Sequence, residues 1–303
     1  MLDRVVLGCG NFGGIGSAPE FFGQGENEER AFELMDAAWA LGIRRFDTAD
    51  AYGGGRSETA IGKWLAATGN RPAITTKTYN PMAFGADRGL GRERVLRQLE
   101  ASLERLGLDS VDLYLAHEFD PETPLCETLE VFEELAEGGR IGAYGVSNFD
   151  GLQLEEACRL GRPAVVQNSY SLLDRAAETD VLPVCERNGV AFQAFGPLAG
   201  GWLTGKYRRG EPRPAGSRMT QRPEPYLGYE RDRAYDGLDG LRRIADGRGV
   251  SMAGIALAWL LADPRVDVVV GPRRPAHLEP VREAISLELG ADERAELDVL
   301  FPA

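Results

Sequence analysis

The stretch LGCGNFGG, residues 7–14, decides which α/β fold this sequence encodes. Its glycines Gly8, Gly10 and Gly13 have the G-x-G-x-x-G spacing that opens a helix in a Rossmann fold. Further turn-forming residues follow, at positions 14, 16, 19, 23 and 25, so no helix can begin for about a dozen residues. The acidic residues about 20 positions on, Glu28 and Glu29, lie inside the next helical pattern and not at the end of a second strand. The sequence therefore argues against a Rossmann domain and leaves open another way of binding a dinucleotide.

Short β-rich runs alternate with amphipathic helical stretches along almost the whole chain. The predicted strands cover residues 5–8, 45–49, 73–77, 112–117, 143–147, 165–168, 191–195 and 268–270. Several are almost continuously apolar, as expected for parallel strands that are buried on both faces. Eight strand-helix repeats predict one α/β domain over residues 1–303, a single (β/α)8 TIM barrel without a Rossmann domain.

The helical stretches carry recognisable start and stop signals. Asn27 is a predicted N-cap for a helix that stops at Gly42, and Ser57 for a helix that stops at Gly69. The other predicted helices cover residues 92–106, 124–137, 152–160, 178–188, 232–248, 251–261 and 291–300. A loop rich in Pro, Gly and Arg, residues 207–230, interrupts this rhythm before the last strand. Because loops of this length in compact domains are usually functional, we expect a mobile flap or cofactor loop there.

Composition and charge narrow the function classes. The formal net charge is −13, which argues against a nucleic-acid or anionic-membrane partner. No apolar run reaches the roughly 20 residues of a membrane span, and the N-terminus lacks a signal-peptide pattern, so a cytoplasmic protein is expected. The four cysteines have no C-x-x-C spacing and indicate reduced thiols. With only His117 and His277, a multi-histidine metal centre is excluded and no metal is expected.

One part of this acidic chain is locally basic. Its cations are Lys206, Arg208, Arg209, Arg213, Arg218 and Arg222, and Arg273 and Arg274 add a second small cluster. Two interpretations stay open, namely solvated loop charge and a binding site for a phosphate-bearing ligand.

Four polar residues of different types fall at or near the ends of three successive predicted strands. Asp47 lies near the end of the second strand, and Tyr52 lies in the loop that follows it. Lys77 ends the third strand, and His117 ends the fourth. In such barrels the strand ends meet at one mouth. A lysine ammonium is expected to lower the pKa of a nearby phenol, and a carboxylate keeps that lysine charged. Each residue alone has a structural explanation, but together they predict proton donation from Tyr52 to a carbonyl oxygen, with His117 orienting that oxygen.

These motifs resemble the aldo-keto reductases, in particular the long group that includes potassium-channel β-subunit-like members. The resemblance covers essentially the whole chain, and its most specific parts are FDTADAYGGGRSE, TTK, DLYLAH, GVSNF, VQNSYSLLDR, GPLAGGWLTGKY and LAWLL. It implies a TIM barrel, NADPH-dependent carbonyl reduction and a catalytic tetrad of Asp47, Tyr52, Lys77 and His117.

The resemblance also implies where a nicotinamide cofactor binds. The nicotinamide end would involve Gly10, Asn11, Asp47, Ser147, Asn148, Gln167 and Phe195, and the pyrophosphate loop Gly196, Pro197, Leu198, Gly200, Lys206 and Arg218. The adenosine 2′-phosphate and adenine site would involve Gly271, Arg273 and His277. His277 and Val281 depart from the residues that the family commonly has there. The resemblance implies NADPH (NADP+) as the cofactor, and the two departures keep NADH as an alternative.

Phe12, Tyr79 and Glu118 flank the strand ends and are the predicted substrate-pocket residues. Glu118 favours a polyhydroxylated or cationic carbonyl substrate, such as a keto-sugar, although an outward-facing surface glutamate is an equal alternative. The leading hypothesis is a reductase of small aldehydes, ketones or keto-sugars. Two alternatives are an NADP(H)-binding redox-sensing or regulatory subunit with little turnover, and a phosphosugar isomerase or aldolase that uses Lys77 as a Schiff base. A homo-oligomer is left open.

Overall fold

The structure, a computed structural model, describes residues 1–303 and contains a closed barrel of eight parallel strands. The strands are β1 Val5–Gly8, β2 Arg45–Asp47, β3 Ala73–Thr78, β4 Val111–Ala116, β5 Ile141–Ser147, β6 Val165–Ser169, β7 Ala191–Phe195 and β8 Val266–Val270. Each strand pairs with the next, and β8 closes the barrel by pairing Val268 with Val5 of β1. The predicted (β/α)8 TIM barrel is confirmed.

Helices lie between the strands and in the segments that precede and follow β8. They are α1 Glu28–Leu41, α2 Arg56–Thr68, α3 Arg92–Leu106, α4 Leu125–Glu137, α5 Gly151–Leu160, α6 Val181–Asn188, α7 Arg218–Gln221, α8 Asp232–Arg248, α9 Met252–Leu261, α10 Glu279–Ser286 and α11 Ala291–Leu300. Every residue of α9 is buried, because this almost wholly apolar helix packs against α8, α10 and β8.

The helix signals in the sequence were correct at one N-terminus and wrong at another. The Asn27 side chain accepts a hydrogen bond from the backbone N–H of Arg30, as predicted for the start of α1. Ser57 does not cap α2, which begins at Arg56 without a side-chain cap. The Ser57 hydroxyl is buried and donates to the backbone oxygen of Cys9 at 3.0 Å. Ser57 therefore ties α2 to the segment after β1.

Several predicted boundaries shift by a few residues. The second strand ends at Asp47 and the fourth at Ala116, so His117 lies just beyond its strand. The sixth helix begins at Val181 and not near residue 178, because Pro183 lacks a backbone N–H and fits only in a first turn. Helix α10 was not among the predicted helices.

The segment 207–230, here called the β7–α8 loop, has local structure of its own. It contains α7 and a 3-10 helix over Glu224–Tyr229. Met219 is buried, and the Arg222 guanidinium donates to the backbone oxygen of Ile15 at 3.1 Å. The loop is therefore fastened to the segment that follows β1.

No helix of the chain is by itself long and apolar enough to cross a membrane. Only α8 and α9 taken together meet that test of length and composition, and they are bent by 93° where they meet.

Candidate active site

The carboxyl ends of β2, β3 and β4 bring the four residues of the predicted tetrad together. Asp47 ends β2, Lys77 lies near the end of β3, and His117 directly follows β4. Tyr52 begins the 3-10 turn after β2. Lys77 Nζ donates to Asp47 Oδ1 at 2.6 Å and lies 3.4 Å from Tyr52 Oη. The rings of Tyr52 and His117 pack edge to face, with their centroids 5.4 Å apart.

Lys77 and Asp47 form a buried ion pair whose remaining hydrogen-bonding capacity is also used. Lys77 Nζ donates to the backbone oxygen of Thr48 at 2.9 Å, and Asp47 Oδ2 accepts from Gln167 Nε2 at 2.7 Å. Burial lowers the pKa of Lys77, but Asp47 and Tyr52 outweigh it and leave that pKa above its ordinary value. A charged ammonium held this way is not the neutral amine that Schiff-base chemistry requires.

The pKa of Tyr52 differs from the sequence-based expectation. Burial raises it, and the opposing effect of Lys77 does not reverse that shift. The expected net lowering of the Tyr52 pKa is therefore wrong for this structure, because the site is more thoroughly desolvated than a strand-end position suggested. The phenol is protonated at neutral pH, which is the form that donates a proton.

His117 is neutral and has an unused ring nitrogen. Burial, and then the positive charge of Lys77, hold the pKa of His117 well below its ordinary value. Its Nδ1 is buried without a hydrogen-bond partner. Because buried polar atoms in proteins are usually paired, this nitrogen marks a place where a bound molecule or water completes the site.

A second buried group, Asp50, lies behind the tetrad and was not among the predicted site residues. Asp50 Oδ2 accepts from the Thr78 hydroxyl at 2.7 Å, and the Asp50 backbone N–H donates to the backbone oxygen of Lys77 at 3.0 Å. The backbone oxygen of Thr78 accepts from the backbone N–H of His117 at 2.9 Å. Asp50 and Thr78 thus connect the turn of Tyr52 to the strand ends that carry Lys77 and His117. The second acid in FDTADAY was the available signal.

The surroundings of Asp50 are charged on both sides. Thr78 Oγ1 accepts from Arg94 Nη1 at 2.9 Å. The fully buried Glu58 accepts from Arg105 Nε through its Oε2 at 2.7 Å. Burial, and then repulsion from Glu58, raise the pKa of Asp50 to about 7. Hydrogen bonds from Thr78 and from the backbone N–H of Ala51, together with the charge of Arg94, oppose this shift and favour the carboxylate.

The residues expected at the nicotinamide end lie at neighbouring strand ends. Ser147 Oγ donates to the backbone oxygen of Gln167 at 2.7 Å, and Asn148 Nδ2 donates to the backbone oxygen of His117 at 2.9 Å. Phe195 ends β7 and is partly exposed. A Cβ at Gly10 would lie only 3.4 Å from the Tyr52 ring, so the chain after β1 passes directly beside the phenol.

A group of cations, here called the cation cluster (Lys206, Arg218 and Arg273), occupies the other side of the mouth. Arg218 Nη2 donates to Asn11 Oδ1, while Arg218 Nη1 is buried without a partner. Burial, and then Arg218 and Arg273, lower the pKa of Lys206. Crowded cations with an unpaired buried N–H fit an anionic ligand, because a phosphate would supply the missing acceptor and charge. The segment between β7 and Lys206 contains the residues expected in the pyrophosphate loop, namely Gly196, Pro197, Leu198 and Gly200.

Arg273 is already paired within the protein. Its Nε donates to Glu26 Oε1 at 2.6 Å, and its backbone N–H donates to His277 Nδ1 at 3.2 Å. Gly271 lies just before it, and its backbone oxygen is 3.5 Å from Asn11 Nδ2. Glu26 was not among the predicted site residues, since a glutamate in a surface loop carries no sequence signal for this contact.

The three predicted substrate-pocket residues differ in accessibility. Phe12 is only 1% exposed and belongs to the hydrophobic core, because its bridge to Glu26 folds the loop inward. Phe12 is therefore buried in this structure, and its place in the substrate pocket stays a prediction. Tyr79 and Glu118 are half-buried. Burial raises the pKa of Glu118 to about 7, and Glu118 Oε1 accepts from Asn148 Nδ2 at 3.2 Å.

The fold and the residues at its mouth define a (β/α)8 barrel protein with a polar site at the carboxyl ends of its strands. The model of the aldo/keto reductase family matches residues 4–301. The uncharacterized oxidoreductase YrpG of Bacillus subtilis is 35% identical over 99% of this chain and 93% of its own length. A putative voltage-gated potassium channel subunit beta of Schizosaccharomyces pombe is 33% identical over 84% of this chain and 78% of its own length.

A solved structure gives the same result. Glycerol dehydrogenase AKR11B4 from Gluconobacter oxydans matches with a TM-score of 0.84 and 27% identity, over 98% of this chain and 90% of that chain. The chain belongs to the aldo/keto reductase family, and its similarity to named oxidoreductases supports an oxidoreductase.

Proposed function

We propose that this protein is an NADPH-dependent reductase of small aldehydes or ketones, with Tyr52 as the proton donor. The observation that carries the proposal is the buried chain from Asp47 through Lys77 to Tyr52, which lies beside a neutral His117. Family membership supports the general class of reaction, and this geometry supports the individual roles.

In the proposed mechanism, Tyr52 donates its phenolic proton to the substrate oxygen as negative charge develops there. Lys77 stabilises the phenolate that remains, because its ammonium lies 3.4 Å from the oxygen. Asp47 keeps Lys77 charged and holds it in place. His117 orients the substrate oxygen through a hydrogen bond from its neutral ring.

NADPH would be held across the mouth, between the tetrad and the cation cluster. Gln167, Ser147 and Asn148 would hold the nicotinamide carboxamide, and Phe195 would stack on its ring. Lys206 and Arg218 would hold the pyrophosphate, and Arg273 the 2′-phosphate. When bound, the reduced nicotinamide supplies a hydride to the carbonyl carbon.

We further propose that residues 1–303 form one domain and that the β7–α8 loop acts as a flap over the cofactor, since it already contacts Asn11 and Arg273.

Glu118 points to the class of substrate. Its carboxyl is half-buried next to His117 and accepts a hydrogen bond from Asn148 Nδ2. With its pKa raised to about 7 it is partly ionised near neutral pH, and its oxygens can accept hydrogen bonds from substrate hydroxyl groups. We propose a polyhydroxylated carbonyl compound such as a keto-sugar. The matching solved structure is named as a glycerol dehydrogenase, which acts on a polyol.

A screen of NADPH oxidation over aldehydes, diketones and keto-sugars tests this proposal, with the Tyr52→Phe variant measured in parallel. We expect turnover by the wild type with hydroxylated carbonyls ahead of apolar ones, and almost none by the variant. Equal turnover by the two proteins would remove Tyr52 from the mechanism.

A second candidate is an NADP(H)-binding regulatory subunit with little turnover, which the similarity to a potassium channel subunit beta favours. It differs from the first in one measurable respect. Tight cofactor binding with negligible turnover across the whole substrate panel would support it and contradict the reductase.

A further inference from the structure

Glu26 and Arg273 form an ion pair where the 2′-phosphate of the proposed cofactor would bind. Glu26 Oε1 accepts from Arg273 Nε at 2.6 Å, with side-chain exposures of 14% and 32%. Arg273 Nη1 donates to the backbone oxygen of Gly216 at 2.7 Å and to Gln221 Oε1 at 3.1 Å. Two of the guanidinium nitrogens therefore already have protein acceptors, and one of these acceptors is a carboxylate.

The backbone holds Glu26 in this place. Its N–H donates to the backbone oxygen of Asn11 at 2.7 Å, and its own oxygen accepts from the N–H of Gly13 at 2.8 Å. A Cβ at the preceding Gly25 would lie 2.1 Å from the backbone oxygens of Asn11 and Gly14. This close packing leaves side-chain rotation as the way for the Glu26 carboxylate to leave Arg273.

We propose that Glu26 is a specificity-determining residue that lowers the preference for NADP(H) over NAD(H) by competing with the 2′-phosphate for Arg273. The inference rests on the proposed function and deepens it. A guanidinium binds a carboxylate and a phosphate through the same donors, so a 2′-phosphate must displace Glu26 or meet its negative charge. A ribose 2′-hydroxyl meets no such conflict, because a carboxylate accepts a hydrogen bond from it.

Equilibrium titration of the full chain with NADP+ and with NAD+ tests this, using Glu26→Gln. We expect the variant to bind NADP+ about tenfold more tightly, with NAD+ affinity unchanged or slightly weakened. The control is Glu20→Gln, which removes the same charge from the same loop at an exposed glutamate outside any ion pair. In the control the ratio of the two affinities should stay at the wild-type value.

Several outcomes overturn the inference. The inference is wrong if Glu26→Gln leaves the ratio of NADP+ to NAD+ affinity unchanged or weakens NADP+ binding. It is also wrong if Glu20→Gln changes that ratio by the same factor. If thermal melting shows that Glu26→Gln is unfolded, Glu26→Asp, which withdraws the carboxylate from Arg273, should shift the ratio in the same direction by a smaller factor, and no shift overturns the inference. Wild-type binding of neither cofactor overturns the proposed function together with it. Wild-type binding with an unchanged ratio in the variant overturns this inference alone.

Discussion

The two sides of the barrel mouth hold their charges in different ways. On the tetrad side, Asp47 and Lys77 lie at strand ends, are 2% and 0% exposed, and are fixed by hydrogen bonds within the barrel wall. On the side of the cation cluster, Lys206 and Arg273 lie in loops and Arg218 begins the short helix α7. Arg218 and Arg273 donate to groups in other loops. The first arrangement suits chemistry that needs a fixed geometry. The second suits a ligand that must replace protein contacts as it binds.

The difference predicts where substitutions affect stability. Removing one partner of a buried ion pair leaves an uncompensated charge in the barrel wall, which is costly. The Arg273–Glu26 pair is less buried, with side-chain exposures of 32% and 14%, so removing Arg273 should cost less. Substitutions on the tetrad side should therefore affect folding and turnover, and substitutions in the cation cluster should affect ligand affinity.

The largest effect is expected for Lys77→Met. The Asp47 carboxylate loses its buried partner, so we expect a loss of about 3–5 kcal/mol in the free energy of unfolding, measured by urea denaturation, and turnover near background. Asp47→Asn combined with Lys77→Met should recover much of the stability and none of the turnover. Recovery of turnover in the double variant would contradict the role of the ammonium.

The next effect is expected for Tyr52→Phe, which removes the proton donor and leaves the ring in place. Turnover should fall by about 10²–10⁴-fold, while cofactor affinity stays within about twofold of the wild type. Steady-state kinetics and cofactor titration check the two halves of this prediction. A variant that lost affinity and turnover together would place Tyr52 in cofactor binding.

A smaller effect is expected for Thr78→Val, which breaks the contact between Asp50 and Thr78 behind the tetrad. Because a displacement of about 1 Å can cost about 100-fold in rate, we expect a ten- to hundredfold lower kcat with little change in KM. Thr78→Ser keeps the hydroxyl and should restore the rate. A change in KM alone would show that Asp50 and Thr78 do not position the catalytic groups.

On the opposite side of the mouth, Arg273→Ala should weaken NADPH binding about ten- to hundredfold and NADH binding by less than about threefold. The reason is that only NADPH carries the 2′-phosphate. Cofactor titration measures both affinities. Equal losses for the two cofactors would contradict the contact.

The smallest effect concerns Glu118 and pH. With a pKa of about 7, its ionised fraction rises between about pH 6 and 8, so KM for a keto-sugar should fall several-fold while KM for an apolar aldehyde stays flat. Glu118→Gln should abolish the difference between the two substrates. The same raised pKa lowers stability as the pH rises from about 4.5 to about 7, since the folded protein holds this proton longer than the unfolded chain. A wild-type KM ratio that does not change with pH would remove Glu118 from the pocket.

The barrel and the tetrad were predictable from the sequence because both depend on local patterns. Apolar runs mark the strands, and strand ends determine where Asp47, Lys77 and His117 meet. The sequence could not show that Ser57 bonds to the segment after β1 instead of capping a helix, nor that burial raises the Tyr52 pKa. Those outcomes depend on packing between distant segments. The pairing of Glu26 with Arg273 spans 247 positions and follows from loop geometry alone.

One paired measurement tests the separation of the two sides most directly, namely the single-turnover rate at saturating NADPH and the NADPH affinity of Tyr52→Phe and Arg273→Ala. We predict a crossed result: Tyr52→Phe loses the rate and keeps the affinity, and Arg273→Ala loses the affinity and keeps the rate. If rate and affinity fell together in both variants, the two sides of the mouth would not act separately.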